Sequence, residues 1–186
     1  MEKKELEGIS SINNLVALKR CGIYHVDVEF DDGSSAELLL KIKSNNVLKN
    51  GINLGGKAWS IPSKNAYFEG TFDGNGYSIS GLYAVGTTQV GFIGNTTATA
   101  VIKNLTIKDS YFEGDSIVSG FVAFVTPGTP DAPAYITIEN CVNFAEIVIN
   151  KKDGNSGGII GQILSTATKE TLIIANVSKC VNYGSV

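Results

Sequence analysis

The sequence is poor in charge, and it holds one histidine, one arginine and one tryptophan among 186 residues. Only 18% of the residues are charged, and the net charge of −3 provides no basic surface of the kind that binds nucleic acid. Arg20 and His25 stand alone, so the sequence lacks both a recurrent arginine base for lyase chemistry and a set of histidines for zinc. We expect no nucleic-acid partner, no metal and no cofactor.

Long apolar runs are also missing. A stretch such as "LIIANV" at 172–177 is far too short to cross a bilayer, so no membrane span is expected. The first ten residues, "MEKKELEGIS", are charged and lack the apolar centre of a signal peptide. They predict either a cytoplasmic protein or a mature fragment with an added Met. The three cysteines are odd in number and widely spaced, which argues against a disulfide framework.

Glycine and β-branched residues are abundant instead. The chain has 21 glycines and is 43% hydrophobic, and its length suits one domain with a sizeable core. Many β-branched residues with little charge favour strands, and frequent glycines favour sharp corners between them. The composition therefore predicts an all-β protein.

The first 50 residues predict a cap that differs from the remainder of the chain. Residues 10–22 carry a Ser cap and then an apolar stripe at helical spacing, formed by Ile12, Leu15, Val16 and Leu18. Residues 23–42 alternate polar and apolar side chains around the turn signal "DDGS" at 31–34, which predicts a β-hairpin. We expect a short helix and a hairpin within residues 1–50.

Residues 51–186 repeat a pattern. The strings "GFIG" at 91, "GFVA" at 120 and "GIIG" at 158 are each followed by a loop and a β-rich run, and they predict one column of Phe92, Phe121 and Ile159. Aligning those runs places Ile107 on Ile138 and Val177, at offsets of 31 and 39 residues, and sets Ser110 on Cys141 and Cys180. The irregular lengths fall in loops at 126–134, 150–156 and 165–170.

A constant strand pattern with variable loops is typical of a solenoid. The repeated segments are short and alternating, so each pass of the chain buries one face of its strands and pairs in parallel with the next pass. We therefore predict a parallel β-helix over residues 51–186. The right-handed form is expected because parallel strands strongly prefer right-handed crossovers.

Two pairs of motifs resemble a known family. "INLGGKAWSIP" followed by "FEGTFDGNGYSISGL", and "GGIIGQI" followed by "CVNYGSV", are similar to the GLUG-motif repeat proteins over residues 52–186. The resemblance implies a right-handed β-helix in an exported or surface-anchored bacterial protein, usually as one part of a longer chain. Some relatives are attached to metallopeptidases, but this sequence has no His-Glu-x-x-His motif, so that activity is not carried over.

Five residues are candidate binding residues: Asp73, Asn75, Tyr77, Asp109 and Tyr111. The first three belong to "FDGNGY", where Asp, Asn and Gly favour a turn, so a structural corner is the main interpretation. A calcium or sugar contact centred on Asp73 is the alternative, although a single carboxylate offers few of the oxygens that calcium needs.

Catalysis is not expected. Hydrolysis of a glycosidic bond needs two carboxylates a defined distance apart. The acidic residues of the repeat region form no recurrent cluster in the sequence: Asp73, Asp109, Glu113, Asp115 and Asp153. No catalytic residue is assigned.

The tyrosines and cysteines have structural interpretations. Tyr67, Tyr77, Tyr83, Tyr111 and Tyr183 are expected to be half-buried corner residues, with an exposed sugar-stacking stripe as the alternative. Cys141 and Cys180 are expected to be free thiols in the core, because parallel side chains point alongside each other.

These observations rank three functions. The first is a non-catalytic structural or adhesive module of a bacterial surface or secreted protein. The alternatives are a carbohydrate-binding module and, third, a polysaccharide lyase or hydrolase. Glycans or host surface proteins are the expected partners. Because the sequence stops within a repeat, the C-terminal end is predicted to be an open coil that further repeats of a longer parent chain would cover.

Overall fold

The computed structural model describes residues 9–18, 23–30, 35–41, 46–59, 67–164 and 171–186. Side chains are described from residue 46 onward within these ranges. Every regular element of the described residues is a β-strand, which confirms the predicted all-β class. Among these residues there is no helix that could span a membrane.

The strands are numbered in chain order. They are β1 (Ile9–Leu18), β2 (Ile23–Phe30), β3 (Ser35–Lys41), β4 (Asn46–Val47), β5 (Ile52–Asn53), β6 (Phe68–Asp73), β7 (Ser78–Ser80), β8 (Tyr83–Gly86), β9 (Gln89–Val90), β10 (Ile93–Lys103), β11 (Thr106–Lys108), β12 (Tyr111–Gly114), β13 (Ile117–Ser119), β14 (Val122–Val125), β15 (Ala134–Glu139), β16 (Val142–Asn143), β17 (Glu146–Ile149), β18 (Asn155–Gly157), β19 (Ile160–Ile163), β20 (Ile173–Ser178) and β21 (Val181–Asn182).

The first three strands form an antiparallel sheet in the order β1-β2-β3. The pairing of β2 with β3 confirms the predicted hairpin strands, whereas the turn at 31–34 and the side chain of His25 lie outside the described residues. The predicted helix over 10–22 is wrong, because Ile9–Leu18 pairs with β2 as a strand. Serines and asparagines weaken a helix in the first half of this segment, and the hairpin edge offers hydrogen bonds to a strand instead.

The remaining strands form four parallel sheets. The largest contains β19-β14-β10-β15-β20 with β6 and β4, and the next contains β21-β16-β11-β7-β5. Two three-stranded sheets follow, in the orders β17-β12-β8 and β18-β13-β9. The chain passes through these sheets repeatedly in the same order, so each strand pairs with its equivalent on the preceding and following pass. The long strand β10 corresponds to two separate strands further along the chain. Its start pairs with β14, and its end pairs with β15.

The register confirms one predicted column and corrects the other. Phe92 and Phe121 are buried, and Ile159 packs against the same core in the equivalent position. In the second column, Ile138 pairs with Val177 as predicted but its other neighbour is Ile102, whereas Ile107 pairs with Asn143.

The error arises because two similar corners follow one another within a single pass. Ile102-Lys103-Asn104 and Ile107-Lys108-Asp109 share an apolar-Lys-turn pattern, and both Asn104 and Asp109 have positive φ. The side chains of Asn104 and Asn140, 36 residues apart, are hydrogen bonded, so the spacing between these passes is five residues longer than the predicted 31. The sequence around Asn140 can be aligned with either corner. The stacking of the passes places it on the corner at Asn104.

The core lies inside the four parallel sheets. Its largest fully buried side chains include Phe112, Phe121, Leu82, Ile102 and Leu105. Trp59 packs against Phe92 with its ring stacked at 5.7 Å, and its indole N–H donates to the Phe92 carbonyl oxygen. The insertion between β14 and β15 stays outside this core, and the loop at 165–170 lies outside the described residues.

Candidate functional site

The turn between β6 and β7 has the chemistry of a structural corner. Asn75 and Gly76 both have positive φ, 50° and 81°, and the N–H of Tyr77 donates to the Gly74 carbonyl oxygen at 2.7 Å. The Asp73 carboxylate accepts the Asn75 backbone N–H at 2.8 Å, as expected when Asp precedes a turn. A side chain at Gly74 would collide with the backbone of Asn104 and Leu105, so glycine allows the neighbouring pass to approach.

The Asp73 carboxylate is occupied by neighbours from its own fold. The Asn104 side-chain amide donates to it at 3.0 Å, and the Lys103 ammonium lies 3.3 Å away. Burial alone would raise the pKa of Asp73, but the bonds from Asn104 and Asn75 and the nearby Lys103 together lower it. The predicted Asp73, Asn75 and Tyr77 therefore share one turn in which the carboxylate already has partners.

A second, different place brings the other two predicted residues together. Asp109 and Tyr111 line a shallow, open cleft of about 560 Å³ at the corner between β11 and β12. The further lining residues are Lys108, Ser110, Phe144 and Glu146. Phe144 and Glu146 come from the following pass, where they flank the equivalent corner between β16 and β17. We call this feature the corner cleft.

Two stacked aromatic pairs border the corner cleft. Tyr83 and Tyr111 lie on neighbouring passes with ring centroids 5.4 Å apart and planes inclined by 14°. Phe144 stacks on Tyr183 of the next pass at 5.1 Å and 17°. Such cross-strand pairs stabilise a sheet and orient the rings. Each cleft ring thus has one face covered by its stacking partner and the other turned toward the pass that completes the cleft.

The position of Tyr111 is further defined by a hydrogen-bond chain. Its hydroxyl donates to Glu113 at 2.7 Å, and the Asn150 side-chain amide donates to the other oxygen of the same carboxylate at 2.9 Å. The bond to Glu113, with some burial and nearby negative charge, raises the pKa of Tyr111 to about 12. Bonds from Tyr111 and Asn150 lower the pKa of Glu113. Tyr111 therefore offers the cleft a neutral ring that is already oriented.

The charged groups of the corner cleft are free of one another. Lys108, Asp109 and Glu146 are exposed, and none makes a side-chain hydrogen bond or ion pair with another described residue. Glu146 lies directly beside Tyr111 in the sheet register. The Phe144 N–H donates to the Ile107 carbonyl oxygen, which sets Phe144 beside Lys108. The cleft thus presents two ring faces, two carboxylates and one ammonium to solvent.

The structure also bears on the predictions for the cysteines and the tyrosines. Cys141 and Cys180 are free thiols as predicted, with Cys141 fully buried and Cys180 half-buried. The expectation of half-buried tyrosines holds for Tyr111, but Tyr183 is 67% exposed, and Tyr67, Tyr77 and Tyr83 are also exposed. The described residues contain no group of three or more His, Cys, Asp or Glu side chains that could hold a metal ion.

Phe144, Glu146 and Lys108 are cleft residues that sequence reasoning missed. The predicted offset of 31 residues places Glu113 on Phe144, whereas the stacked passes set Phe144 beside Lys108. With the corner at Asn104 aligned to that at Asn140, the offset of 36 residues places Lys108 on Phe144, and it places Tyr111 one residue away from Glu146, its partner in the structure. A correct register is therefore the signal that reveals the cleft.

Comparison with protein-family models, with curated proteins and with solved structures finds no match for this chain.

Proposed function

We propose that residues 51–186 form a right-handed parallel β-helix of the GLUG-motif type, preceded by a cap in residues 1–50. The parallel pairing of four sheets, with the chain visiting them in one order, supports a solenoid. The right-handed form follows the general preference of parallel crossovers. The cap contains an antiparallel sheet, and its β1 strand contacts β5 at the start of the parallel part.

Within this architecture the chain acts as a non-catalytic structural and adhesive module of a bacterial surface or secreted protein, and it adheres by binding carbohydrate. The corner cleft is the single observation that favours carbohydrate. Sugars present flat apolar C–H faces surrounded by hydroxyls, which suits a shallow site made of ring faces and a few polar groups. Each ring is already held by its stacking partner, so little side-chain freedom is lost on binding.

The shape of the cleft favours binding over catalysis. Asp109 and Glu146 both reach it, but the cleft is shallow and open to solvent. Glycoside hydrolysis relies on a carboxylic acid kept protonated by its surroundings and on a site that controls water. We therefore expect no release of reducing ends or unsaturated uronates from pectin, alginate or xylan. Activity that disappears in an Asp109→Asn variant would contradict the non-catalytic assignment.

A glycan array with matched variants tests the binding function. The intact chain should bind a subset of glycans, and Tyr111→Ala and Phe144→Ala should each reduce that signal at least about tenfold through loss of a stacking surface. Tyr135→Ala is the control, because Tyr135 is an exposed tyrosine on β15 that does not line the cleft.

Tyr111→Phe should retain most of the binding, since it keeps the ring and removes only the bond to Glu113. Circular dichroism and thermal melting verify that each variant is folded. A chain that binds no glycan, or whose binding is unchanged in both alanine variants, would refute the proposal. Binding to a host surface protein through the same cleft would be detected as a signal on immobilised proteins that the same variants abolish.

A further inference from the structure

The corner cleft is lined by three charged side chains in addition to its aromatic rings. It contains the carboxylates of Asp109 and Glu146 and the single ammonium of Lys108. All three groups are exposed and make no ion pair with another described residue, so their charges act on whatever occupies the cleft. The site carries a net charge of −1 when these groups are ionised.

The aromatic rings of the cleft also favour a cation. The face of an aromatic ring is the negative part of its quadrupole and attracts cations. One face of Tyr111 is covered by Tyr83, and its other face is directed toward the next pass, where Glu146 occupies the paired position. A cation held there would contact a ring face and a carboxylate together.

The cleft has two ends, one on each side of the corner: Lys108 and Phe144 lie before it, and Tyr111 and Glu146 begin β12 and β17 after it. Lys108 is beside Phe144 on the neighbouring pass, so the ammonium of the cleft belongs to the Phe144 end. An added cation would be repelled there and favoured at the Tyr111–Glu146 end. The Phe144 end keeps an apolar ring for an uncharged part of the ligand.

We infer that the corner cleft selects glycans that contain a protonated amino sugar, with the ammonium at Tyr111 and Glu146 and a neutral sugar face against Phe144. This inference rests on the proposed carbohydrate-binding function and names the class of sugar. A hydroxylated ring with one ammonium satisfies the two carboxylates and the ring faces together. A uronate would place a second negative charge beside Asp109 and Glu146 and is disfavoured.

Isothermal titration with three tetrasaccharides tests the preference on the full chain. The probes are a β-1,4 tetramer of glucosamine, the same tetramer fully N-acetylated, and a β-1,4 tetramer of glucose. We expect the glucosamine tetramer to bind about fivefold more tightly than either neutral tetramer at pH 6, because exposed cation–π and ion-pair contacts are each modest. Raising the salt concentration from 0.05 to 0.5 M should narrow this difference.

Two substitutions separate the charge preference from sugar binding itself. Glu146→Gln should remove the charge preference, so that the glucosamine tetramer binds within about twofold of the neutral tetramers. Phe144→Ala should weaken all three probes. Asp131→Asn is the control, because Asp131 is an exposed carboxylate in the loop between β14 and β15 that does not line the cleft.

The outcomes distinguish this inference from the proposed function. Equal binding of all three tetramers, each weakened by Phe144→Ala, would overturn the amino-sugar preference and leave carbohydrate binding in place. No binding of any probe, together with an empty glycan array, would overturn both.

Discussion

Asp73 carries a carboxylate of the kind that can bind a ligand, but this carboxylate is bonded to other residues of the same chain. It holds its own turn through the Asn75 N–H and binds the next pass through Asn104 and Lys103. The Asn104 amide in turn accepts from Asn140 one pass further along. The corner column is thus a chain of hydrogen bonds that runs across the passes, and the carboxylate at its start has little capacity left for a ligand.

Asp73→Asn should make stability less sensitive to acid. The pKa of Asp73 lies below its ordinary value of 3.8, so its contribution is fully present above that value and is lost as pH falls through the lower folded pKa. At pH 7 the variant should be less stable by about 1 kcal/mol, and the difference should shrink below pH 3.8. Urea unfolding followed by Trp59 fluorescence at several pH values measures this. A difference that stays constant from pH 7 to pH 3 would contradict it.

The two thiols of the parallel part should differ in reactivity. Burial, with smaller effects from its neighbours, raises the pKa of Cys141 to about 12, and its side chain is fully buried, whereas Cys180 is half-buried. Because the thiolate is the reactive form, N-ethylmaleimide at pH 8 should label Cys180 at least about tenfold faster than Cys141. Site-resolved mass spectrometry in a Cys21→Ser background gives both rates. They should become equal in denaturant, and equal rates in the native protein would disprove the difference.

At the scale of elements, the glycines and asparagines of the repeat pack against each other. A Cβ at Gly120 would lie 2.6 Å from the Asn143 side-chain amide, and one at Gly158 would collide with the Asn182 side chain. Asn143 is fully buried and donates to Asn182 at 2.8 Å, while its oxygen accepts the Ala145 N–H. The "GIIG" and "CVN" motifs are therefore complementary, because the glycine makes room for the amide that ties adjacent passes.

The column of Phe92, Phe121 and Ile159 should be a main source of stability. Phe121 is fully buried, so Phe121→Ala should reduce the free energy of unfolding by about 3 to 5 kcal/mol through lost burial and a cavity. Val85→Ala is the matched control, since Val85 is 54% exposed and its truncation should cost under about 0.5 kcal/mol. Denaturant midpoints measured by Trp59 fluorescence compare the two. Similar midpoints for both variants would show that the column contributes little.

At the scale of the whole molecule, equivalent side chains become more exposed to solvent toward the last described pass. Ile138 is 0% exposed, whereas its partner Val177 on the last described pass is 48% exposed. Cys141 and Cys180 show the same change from buried to half-buried. The strands β20 and β21 are each at the edge of their sheet, with neighbours on one side among the described residues.

Hydrogen exchange should reproduce this gradient. Amides of residues 173–182 should exchange at least about tenfold faster than those of the equivalent residues 134–143, because strands paired on one side open without disturbing the core. Mass spectrometry of native exchange, with the fully denatured chain as the reference, provides the comparison. Equal protection of the two segments would mean that the exposed face is covered in solution, and light scattering across a concentration series would then identify self-association as the cause.

The sequence by itself determined the features that depend on neighbouring residues. Alternation and glycine frequency predicted an all-β chain, the "DDGS" signal predicted the paired strands β2 and β3, and "FDGNGY" predicted the turn at Asp73. The GFIG-like strings predicted the column of Phe92 and Phe121 because the same Gly-Phe pair marks this position in both passes. Each is a local pattern whose physical cause lies within a few residues.

Only the tertiary structure decided the features that depend on which passes meet. The stripe in residues 10–18 suited a helix, but pairing with β2 made it a strand. The similar corners at Asn104 and Asp109 gave two possible registers, and the hydrogen bond between Asn104 and Asn140 selected one. That choice placed Phe144 and Glu146 beside Lys108 and Tyr111 and so formed the corner cleft. A loop of variable length carries no information on register, so stacking of the buried side chains and the ladder between passes had to supply it.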